Sequence, residues 1–266
     1  MGKYNPIGIF DSGVGGLTVV KSLLEELPYE NFIYFGDTAH VPYGNKTPSE
    51  LFSYAHNIIK FLMANNVKAI IVACGTHSSI TLPVISTEYS LPILGVVNPG
   101  AIMATNHSKN NKIGVLATQA TVKSLAYTKA IKAINKNCEV YEVFCPEFVP
   151  LVEAGKLDGE ATELAVAKYV QPLKVLGIDT LILGCTHYPF LDEVIGLYAG
   201  GDIKLINPSY TTVTVLKELL AEKGLLNDEG LAPQRDFYVS GDDSSFFRVG
   251  NLLLDNIIEK VAKVNL

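Results

Sequence analysis

The hydrophobic positions of this chain form short apolar runs that alternate with longer segments of helical periodicity. Apolar side chains recur at helical spacing between Leu17 and Leu27, where Pro28 ends the pattern. Thr47-Pro48-Ser49-Glu50 provides an N-cap, a first-turn proline and a capping-box glutamate for a helix that is predicted to reach about residue 65. The predicted strands of the first part of the chain are residues 7–10, 32–35, 68–73 and 92–97.

The same pattern restarts near residue 112. The segment that begins at Ile113 resembles the one that begins at Ile7, and an apolar run into Cys185 repeats the run into Cys74 at nearly the same offset. The later predicted strands are residues 113–118, 138–144, 180–184, 204–206 and 237–240. Helices are predicted over residues 160–176, over about 211–223, and in a last segment through Leu252, Ile257 and Val261. Alternating strands and helices predict an α/β fold of two similar halves, each a mainly parallel sheet flanked by helices.

Polar side chains follow the predicted strands at their carboxyl ends. Cys74 and Cys185 each end an apolar run and are followed within three residues by Thr and His, while Asp11, Asp37 and Thr118 lie at the carboxyl ends of other strands. Ligands of open parallel sheets bind outside the carboxyl ends of the strands. If the two halves face each other, the two thiols meet across one cleft.

Two loops favour a ligand site at this edge. The glycine-rich turn at residues 11–16 lets the backbone approach a small ligand closely, and tight packing of strand against helix is the alternative interpretation. It matches neither the dinucleotide fingerprint nor the P-loop. The loop at residues 36–44 is rich in polar and turn-forming residues, as binding loops are.

Composition narrows the class of protein. The 266 residues are 48% hydrophobic and 18% charged, which is typical of a globular chain with a sizeable core. A net charge of −6 without a basic cluster argues against a nucleic-acid partner. No apolar run approaches the roughly 20 residues that span a bilayer, and no signal core begins the chain. We therefore expect a cytoplasmic protein with free thiols and no membrane association.

Two facing cysteines support several kinds of chemistry. One thiolate can remove a proton from one face of a carbon acid while the other thiol returns a proton to the opposite face, which inverts the stereocentre. The alternatives are a four-ligand zinc site with His77 and His187, a single nucleophilic cysteine for acyl transfer, a redox pair, and two buried core thiols. The polar neighbours of both cysteines favour the first interpretation.

Several motifs in the order found here resemble those of glutamate racemases. They include Asp11-Ser12-Gly13, Pro42-Tyr43-Gly44 and Cys185-Thr186-His187. The resemblance covers essentially the whole chain, through residues 8–18, 36–44, 72–74, 148–153 and 183–189. It implies a cofactor-independent enzyme that interconverts L- and D-glutamate by two-base proton transfer, supplies D-glutamate for peptidoglycan synthesis, and is commonly a homodimer. It also implies two pseudo-symmetric domains, residues 1–97 plus 210–266 and residues 98–209, with the active site in the cleft between them.

The resemblance further implies roles for individual residues. The first cysteine of such enzymes usually serves D-glutamate and the second L-glutamate. The residues expected to take part in catalysis are Cys74, Cys185, Asp11, His187, Glu153 and Asp37. The residues expected to bind the small-molecule substrate are Asp11, Ser12, Pro42, Tyr43, Gly44, Gly75, Thr76, Thr118, Thr186 and His187. No cofactor and no metal are expected.

Three positions depart from the usual motifs. Gly75-Thr76-His77 stands where Asn-Thr-Ala is usual, His40 where Arg is frequent, and Asn207 where Asp is frequent. Loss of the amide at position 75 removes side-chain donors to a substrate carboxylate, and one such bond is worth about 1.5–3 kcal/mol. His77 either compensates for this loss or packs away from the site. A racemase or decarboxylase for aspartate or another small acid, and a weakly active binding protein, therefore remain alternatives.

Overall fold

The computed structural model describes residues 2–229 and 232–266 as an α/β fold with two parallel sheets. In chain order, the strands β1 to β10 are Ile7–Asp11, Phe32–Gly36, Ala69–Val72, Ile93–Gly95, Lys112–Ala117, Glu139–Phe144, Thr180–Leu183, Lys204–Ile206, Arg235–Val239 and Ala262–Lys263. The helices α1 to α12 are Leu17–Glu26, Pro48–Ala64, Gly75–Ile80, Leu82–Ile85, Val97–His107, Gln119–Ser124, Ala126–Ile134, Phe148–Glu153, Glu160–Val175, Asp192–Ala199, Pro208–Glu222 and Asp243–Leu253.

The first sheet has the strand order β10-β9-β2-β1-β3-β4, with parallel pairing throughout. Alternate residues of its strands belong to two different apolar clusters: Ile9 and Ile71 to one, Phe10 and Val72 to the other. Both faces of the sheet are therefore covered, which explains why its strands read as continuous apolar runs rather than alternating ones.

The second sheet has the order β6-β5-β7-β8 and is also parallel. This order repeats β2-β1-β3-β4, with β5 in the place of β1 and β7 in the place of β3. Cys74 follows β3 and Cys185 follows β7, so the two cysteines occupy equivalent positions in the two halves. The predicted α/β fold of two similar halves is confirmed.

The C-terminal segment returns to the first sheet, where β9 pairs with β2 and β10 pairs with β9. The predicted last helix is wrong in its extent: α12 ends at Leu253, and Ile257 and Val261 lie beyond it. Asp255 and Asn256 adopt left-handed backbone angles, with φ of 52° and 64°, which end the helix.

The side chain of Asn251 stabilises this turn through two hydrogen bonds. Asn251 accepts a hydrogen bond from the backbone N–H of Ile258 at 2.8 Å and donates one to its carbonyl at 3.0 Å. The apolar spacing of Leu252, Ile257 and Val261 thus reflects a turn packed onto the domain, not a continued helix. The strand predicted over residues 92–97 is likewise shorter, because α5 begins at Val97. No helix in the described ranges is long and apolar enough to cross a membrane.

Candidate active site

Cys74 and Cys185 line one small cavity of about 20 Å³. Its walls are Ser12, Pro42, Tyr43, Gly44, Cys74, Thr76, Thr118, Val149, Cys185, Thr186 and His187. Residues that follow β1, β3, β5 and β7 all contribute, so the carboxyl ends of the two sheets face each other across it. A cavity of this size holds about one water molecule. The walls must therefore separate before a larger ligand can enter.

Ten of the residues expected at the site line this cavity, and four lie directly behind its walls. The four are Asp11, Asp37, Gly75 and Glu153. Val149 is a wall residue that the sequence did not single out, although it belongs to the motif around Glu153. Its position on the short helix α8 adds an apolar side chain to a wall that also contains Pro42 and Tyr43.

Cys74 is the N-cap residue of α3 and is 5% exposed. Burial raises the pKa of its thiol well above the usual range, and the nearby Asp11 carboxylate adds to this effect. The backbone N–H groups of His77 and Thr76 act in the opposite direction, since they favour the thiolate. Cys74 is therefore a neutral thiol in the resting cavity and can act as a proton donor.

Cys185 is the first member of a chain of hydrogen bonds through His187 to Glu153, which we call the relay. Its sulfur is 3.6 Å from Nδ1 of His187, and Nε2 of His187 is 2.7 Å from Oε1 of Glu153. Burial alone would lower the pKa of His187, but the Cys185 sulfur and the Glu153 carboxylate together raise it well above its usual value. Burial would raise the pKa of Glu153, yet its bond to His187 lowers it. An imidazolium here donates to both neighbours and stabilises negative charge on the Cys185 sulfur.

The glycine-rich turn of the first half packs against this relay in the second half. A Cβ atom on Gly13 would collide with Oε1 of Glu153, and one on Gly15 would collide with the imidazole of His187. The backbone N–H of Val14 also donates to Glu153, at 3.3 Å. These two glycines therefore serve a close approach between the halves, whereas Gly16 fits the packing interpretation because its Cβ would meet Asp11 within the same half.

We predict that Gly15→Ala lowers kcat/KM for the expected racemisation by about 100-fold, because a displacement near 1 Å of a catalytic group has an effect of this order. The added methyl group must push His187 away from Cys185 or Glu153. Gly196→Ala is the matched control: it lies in α10, where a Cβ makes an ordinary 3.7 Å contact with Leu205. Steady-state kinetics and thermal unfolding of both variants test this, and wild-type kinetics in Gly15→Ala would contradict it.

Asp11 links the two halves beneath the cavity. It is fully buried, and its carboxylate accepts hydrogen bonds from Oγ1 of Thr186 at 2.8 Å and from the backbone N–H of Ser12 at 2.6 Å. Burial raises the pKa of Asp11, although His187 and Thr186 favour its charged form. Asp11 thus orients two wall residues from behind.

A pair of threonines from the two halves closes another wall. Oγ1 of Thr76 and Oγ1 of Thr118 are 3.0 Å apart, and Thr118 is in turn 3.2 Å from Oγ1 of Thr121. No sequence motif pointed to Thr121, which lies one helical turn beyond Thr118. The hydroxyl groups of Thr76 and Thr118, which line the cavity, can donate to a substrate carboxylate.

Asp37 is hydrogen-bonded to Tyr43 rather than to a thiol. Its carboxylate accepts hydrogen bonds from the hydroxyl group of Tyr43 and from Oγ of Ser240, the latter at 2.6 Å. Nδ1 of His40 is 2.8 Å from the same carboxylate. Tyr43 lines the cavity between Pro42 and Gly44, so the loop that the sequence favoured as a binding loop reaches the site.

Gly75 and His77 show what the unusual motif does. A Cβ on Gly75 would lie 2.6 Å from the backbone carbonyl oxygen of Gly184, so an asparagine would not fit unless the two halves moved apart. The His77 ring is 0% exposed and packs between Phe10 and Tyr43. Two roles were considered for His77, compensation for the missing amide and packing away from the site, and the structure supports the second. The zinc-site alternative, which needs His77 beside the two cysteines, loses that ligand.

Comparisons with known proteins show to which family the chain is similar. The family model described as Asp/Glu/Hydantoin racemase matches residues 16–220. A glutamate racemase of Neisseria meningitidis serogroup A is 43% identical over 267 residues, which cover 100% of this chain and 98% of the relative. The crystal structure of glutamate racemase isoform RacE1 from Bacillus anthracis is similar, with a TM-score of 0.93, 35% identity, and coverage of 99% of this chain and 98% of that one. For the Francisella tularensis glutamate racemase in complex with D-glutamate, the TM-score is 0.90 and the identity 39%, with the same coverage.

Proposed function

The chain belongs to the glutamate racemases, isomerases of the Asp/Glu/Hydantoin racemase family, and from this premise we propose that Cys74 and Cys185 invert the α-carbon of glutamate without a cofactor. The observation that carries the proposal is the shared cavity: one thiol from each half of the pseudo-repeat lines it. Two acid/base groups of the same chemical type suit a reversible inversion, because either can start the reaction.

The surroundings of the two cysteines differ, since the Cys185 sulfur adjoins His187, which is in turn hydrogen-bonded to Glu153. The Cys185 thiolate, supported by His187, takes the α-proton, and the carbanion receives a proton from the Cys74 thiol on the opposite face. This transfer leaves Cys74 as the thiolate and Cys185 as the thiol, so the reverse reaction starts from Cys74. In keeping with the family resemblance, Cys185 serves L-glutamate and Cys74 serves D-glutamate.

The walls supply several polar groups that can bind an amino acid. Thr76 and Thr118 line the cavity, with their hydroxyl groups 3.0 Å apart, and Ser12 and Thr186, which are both hydrogen-bonded to Asp11, line it as well. Neutral hydroxyl groups can donate to the carboxylates of glutamate and can accept from its ammonium group. Because position 75 contributes no side chain, these hydroxyls carry more of the substrate binding than in a relative with asparagine there.

We predict that the purified protein in deuterium oxide, without added cofactor, incorporates deuterium at the α-carbon of both L- and D-glutamate. Proton NMR follows the exchange, and circular dichroism follows the decay of the ellipticity to zero from either enantiomer. L-Aspartate is the matched comparison, and we expect slower exchange for it. Faster exchange of aspartate would favour the alternative substrate, and glutamate binding without exchange would favour a binding protein.

The physiological assignments follow from the same family membership. We propose that the D-glutamate serves peptidoglycan synthesis in the cytoplasm and that the enzyme is a homodimer, as the resemblance of its sequence motifs to those of glutamate racemases implies. We also propose the division into domains at residues 1–97 plus 210–266 and residues 98–209. The pairing of β9 and β10 with the first sheet supports this division.

A further inference from the structure

Tyr43 forms the part of the cavity wall that adjoins Cys74. Its side chain is 2% exposed, and it packs with Cys74 and Leu51 in one apolar cluster. Because both Tyr43 and Cys74 line the cavity, the position of this ring limits how closely a substrate approaches the Cys74 sulfur.

The Tyr43 ring is held from three directions. Its hydroxyl group donates to Asp37, and Tyr54 stacks on it with ring centroids 5.9 Å apart and planes 15° apart. The imidazole of His77 meets it nearly perpendicularly, at 83° and 4.7 Å between centroids. Perpendicular aromatic pairs at such distances contribute about 0.5–1.5 kcal/mol beyond the area they bury.

His77 is itself fixed, and it carries a polar atom without a partner. Nδ1 is 3.0 Å from Oγ1 of Thr81, and Phe10 packs against the ring at 5.4 Å. Nε2 is buried and has no hydrogen-bond partner among the described residues. Burial lowers the pKa of His77 to about 3, so the ring is neutral.

The unpaired nitrogen indicates that stability is not the reason for a histidine at this position. An unsatisfied buried polar atom costs about 1–3 kcal/mol, which an apolar side chain would avoid. His77 also lies outside the cavity wall, so it does not touch a substrate there. Besides Phe10 and Thr81, its ring contacts Tyr43, which packs with Cys74.

We propose that His77 is a positioning residue that holds the Tyr43 ring against Cys74 and so sets how Cys74 meets the α-carbon. This inference rests on the proposed two-cysteine racemisation. The neighbouring Gly75 has no side chain that could support the same wall, which leaves this task to the Tyr43 ring and the groups behind it.

A double-mutant cycle tests whether His77 acts through Tyr43. We expect His77→Ala to lower kcat/KM by about 10-fold, a fraction of the effect of a 1 Å misplacement, and to cause no further loss in a Tyr43→Leu background. His77→Phe keeps an aromatic ring and removes the unpaired nitrogen, so it should retain kcat/KM within about threefold and unfold at the same or a higher temperature. Independent, multiplying losses in the double variant would overturn the proposal.

Isotope effects separate this role from a general weakening of the fold. L- and D-glutamate have equal free energies in water, so kcat/KM is the same in both directions, but α-deuterium slows only the first proton transfer from each substrate. If His77→Ala impairs the Cys74 step, the isotope effect rises for the enantiomer that Cys74 deprotonates and falls for the other. Equal changes for both enantiomers, or none, would overturn the proposal.

A structural readout keeps the test independent of catalysis. NMR of protein with labelled tyrosine measures the ring-flip rate of Tyr43, whose signal is assigned by its loss in Tyr43→Leu. We expect faster flips in His77→Ala than in the wild type, and unchanged flips would overturn the proposal. Wild-type protein that fails to exchange the α-proton of glutamate would refute the proposed function, whereas the ring-flip comparison would still decide the role of His77.

Discussion

Serine in place of either Cys74 or Cys185 is expected to abolish racemisation, with a loss of at least about 1,000-fold in kcat for both enantiomers, within the range for removal of a general acid or base. A serine hydroxyl group does not ionise near neutral pH, so it cannot take or return the α-proton at a useful rate. Each inversion uses both residues, so neither direction survives in either variant. Circular dichroism with L- and with D-glutamate measures this loss.

The chain contains a matched control for the cysteine variants. Cys138 is also buried, but it lies before β6 and outside the cavity wall, with its sulfur 3.7 Å from Oδ1 of Asn111. Cys138→Ser preserves a donor to that oxygen and should keep wild-type kinetics. Full activity in Cys74→Ser or Cys185→Ser would refute the two-base mechanism, as would an equal loss in Cys138→Ser.

A substrate that needs only one base assigns each cysteine to one face. A glutamate with chloride at its β-carbon loses the α-proton to one thiolate and then expels chloride, with no second proton transfer. For a given enantiomer, one serine variant should therefore retain this elimination while the other loses it. Retention in both variants would show that neither cysteine is the base for that enantiomer.

The strands and the polar residues at their carboxyl ends could be predicted from the sequence. Strands covered on both faces read as apolar runs, so the runs into Cys74 and Cys185 were recognisable. Their equivalent places in the two sheets bring the two thiols to one cavity. The apolar spacing of Ile257 and Val261 was misleading, because a tight turn places side chains against the core as a helix does. Only the left-handed angles at Asp255 and Asn256 distinguish the two.

Contacts between distant segments could not be predicted in the same way. Nothing in the run from Gly36 to Gly44 indicates that Asp37 accepts a hydrogen bond from Tyr43 instead of facing a thiol, since that depends on how the loop folds back. The contact of Gly75 with the Gly184 carbonyl depends on the distance between the two sheets. It was therefore easier to predict which residues lie at the site than to predict what the residues behind its walls do.

A buried ion pair far from the cavity was also not predictable from local pattern. Lys68 and Glu30 both have fully buried side chains, with Nζ of Lys68 2.5 Å from Oε2 of Glu30. Lys68 also donates to the carbonyl oxygens of Lys3 and Leu225, and Glu30 accepts from the backbone N–H of Asn227 at 2.9 Å. The pair therefore ties the N-terminal segment and the chain after α11 to the start of β3.

We predict that Lys68→Met lowers the free energy of unfolding by about 3–5 kcal/mol at neutral pH, because it leaves the Glu30 carboxylate buried without a countercharge. Urea denaturation measures the loss. Lys217→Met is the control, since the Lys217–Glu26 pair is partly exposed at 3.2 Å and such pairs are worth up to about 1 kcal/mol. A change below about 1 kcal/mol in Lys68→Met would contradict the prediction.

The pH dependence and the double variant reveal the origin of this effect. Burial lowers the pKa of Lys68 and raises that of Glu30, with each partner opposing the shift of the other. A raised folded-state pKa means that the folded protein gains stability relative to the unfolded chain as Glu30 takes up a proton. The penalty of Lys68→Met should therefore shrink as the pH falls from about 7 towards about 4, near the ordinary pKa of a glutamate.

Adding Glu30→Leu should restore part of the lost stability at neutral pH, because it removes the unpaired charge although the carbonyls of Lys3 and Leu225 stay without a donor. A double variant less stable than Lys68→Met would show that the buried carboxylate is not the cause.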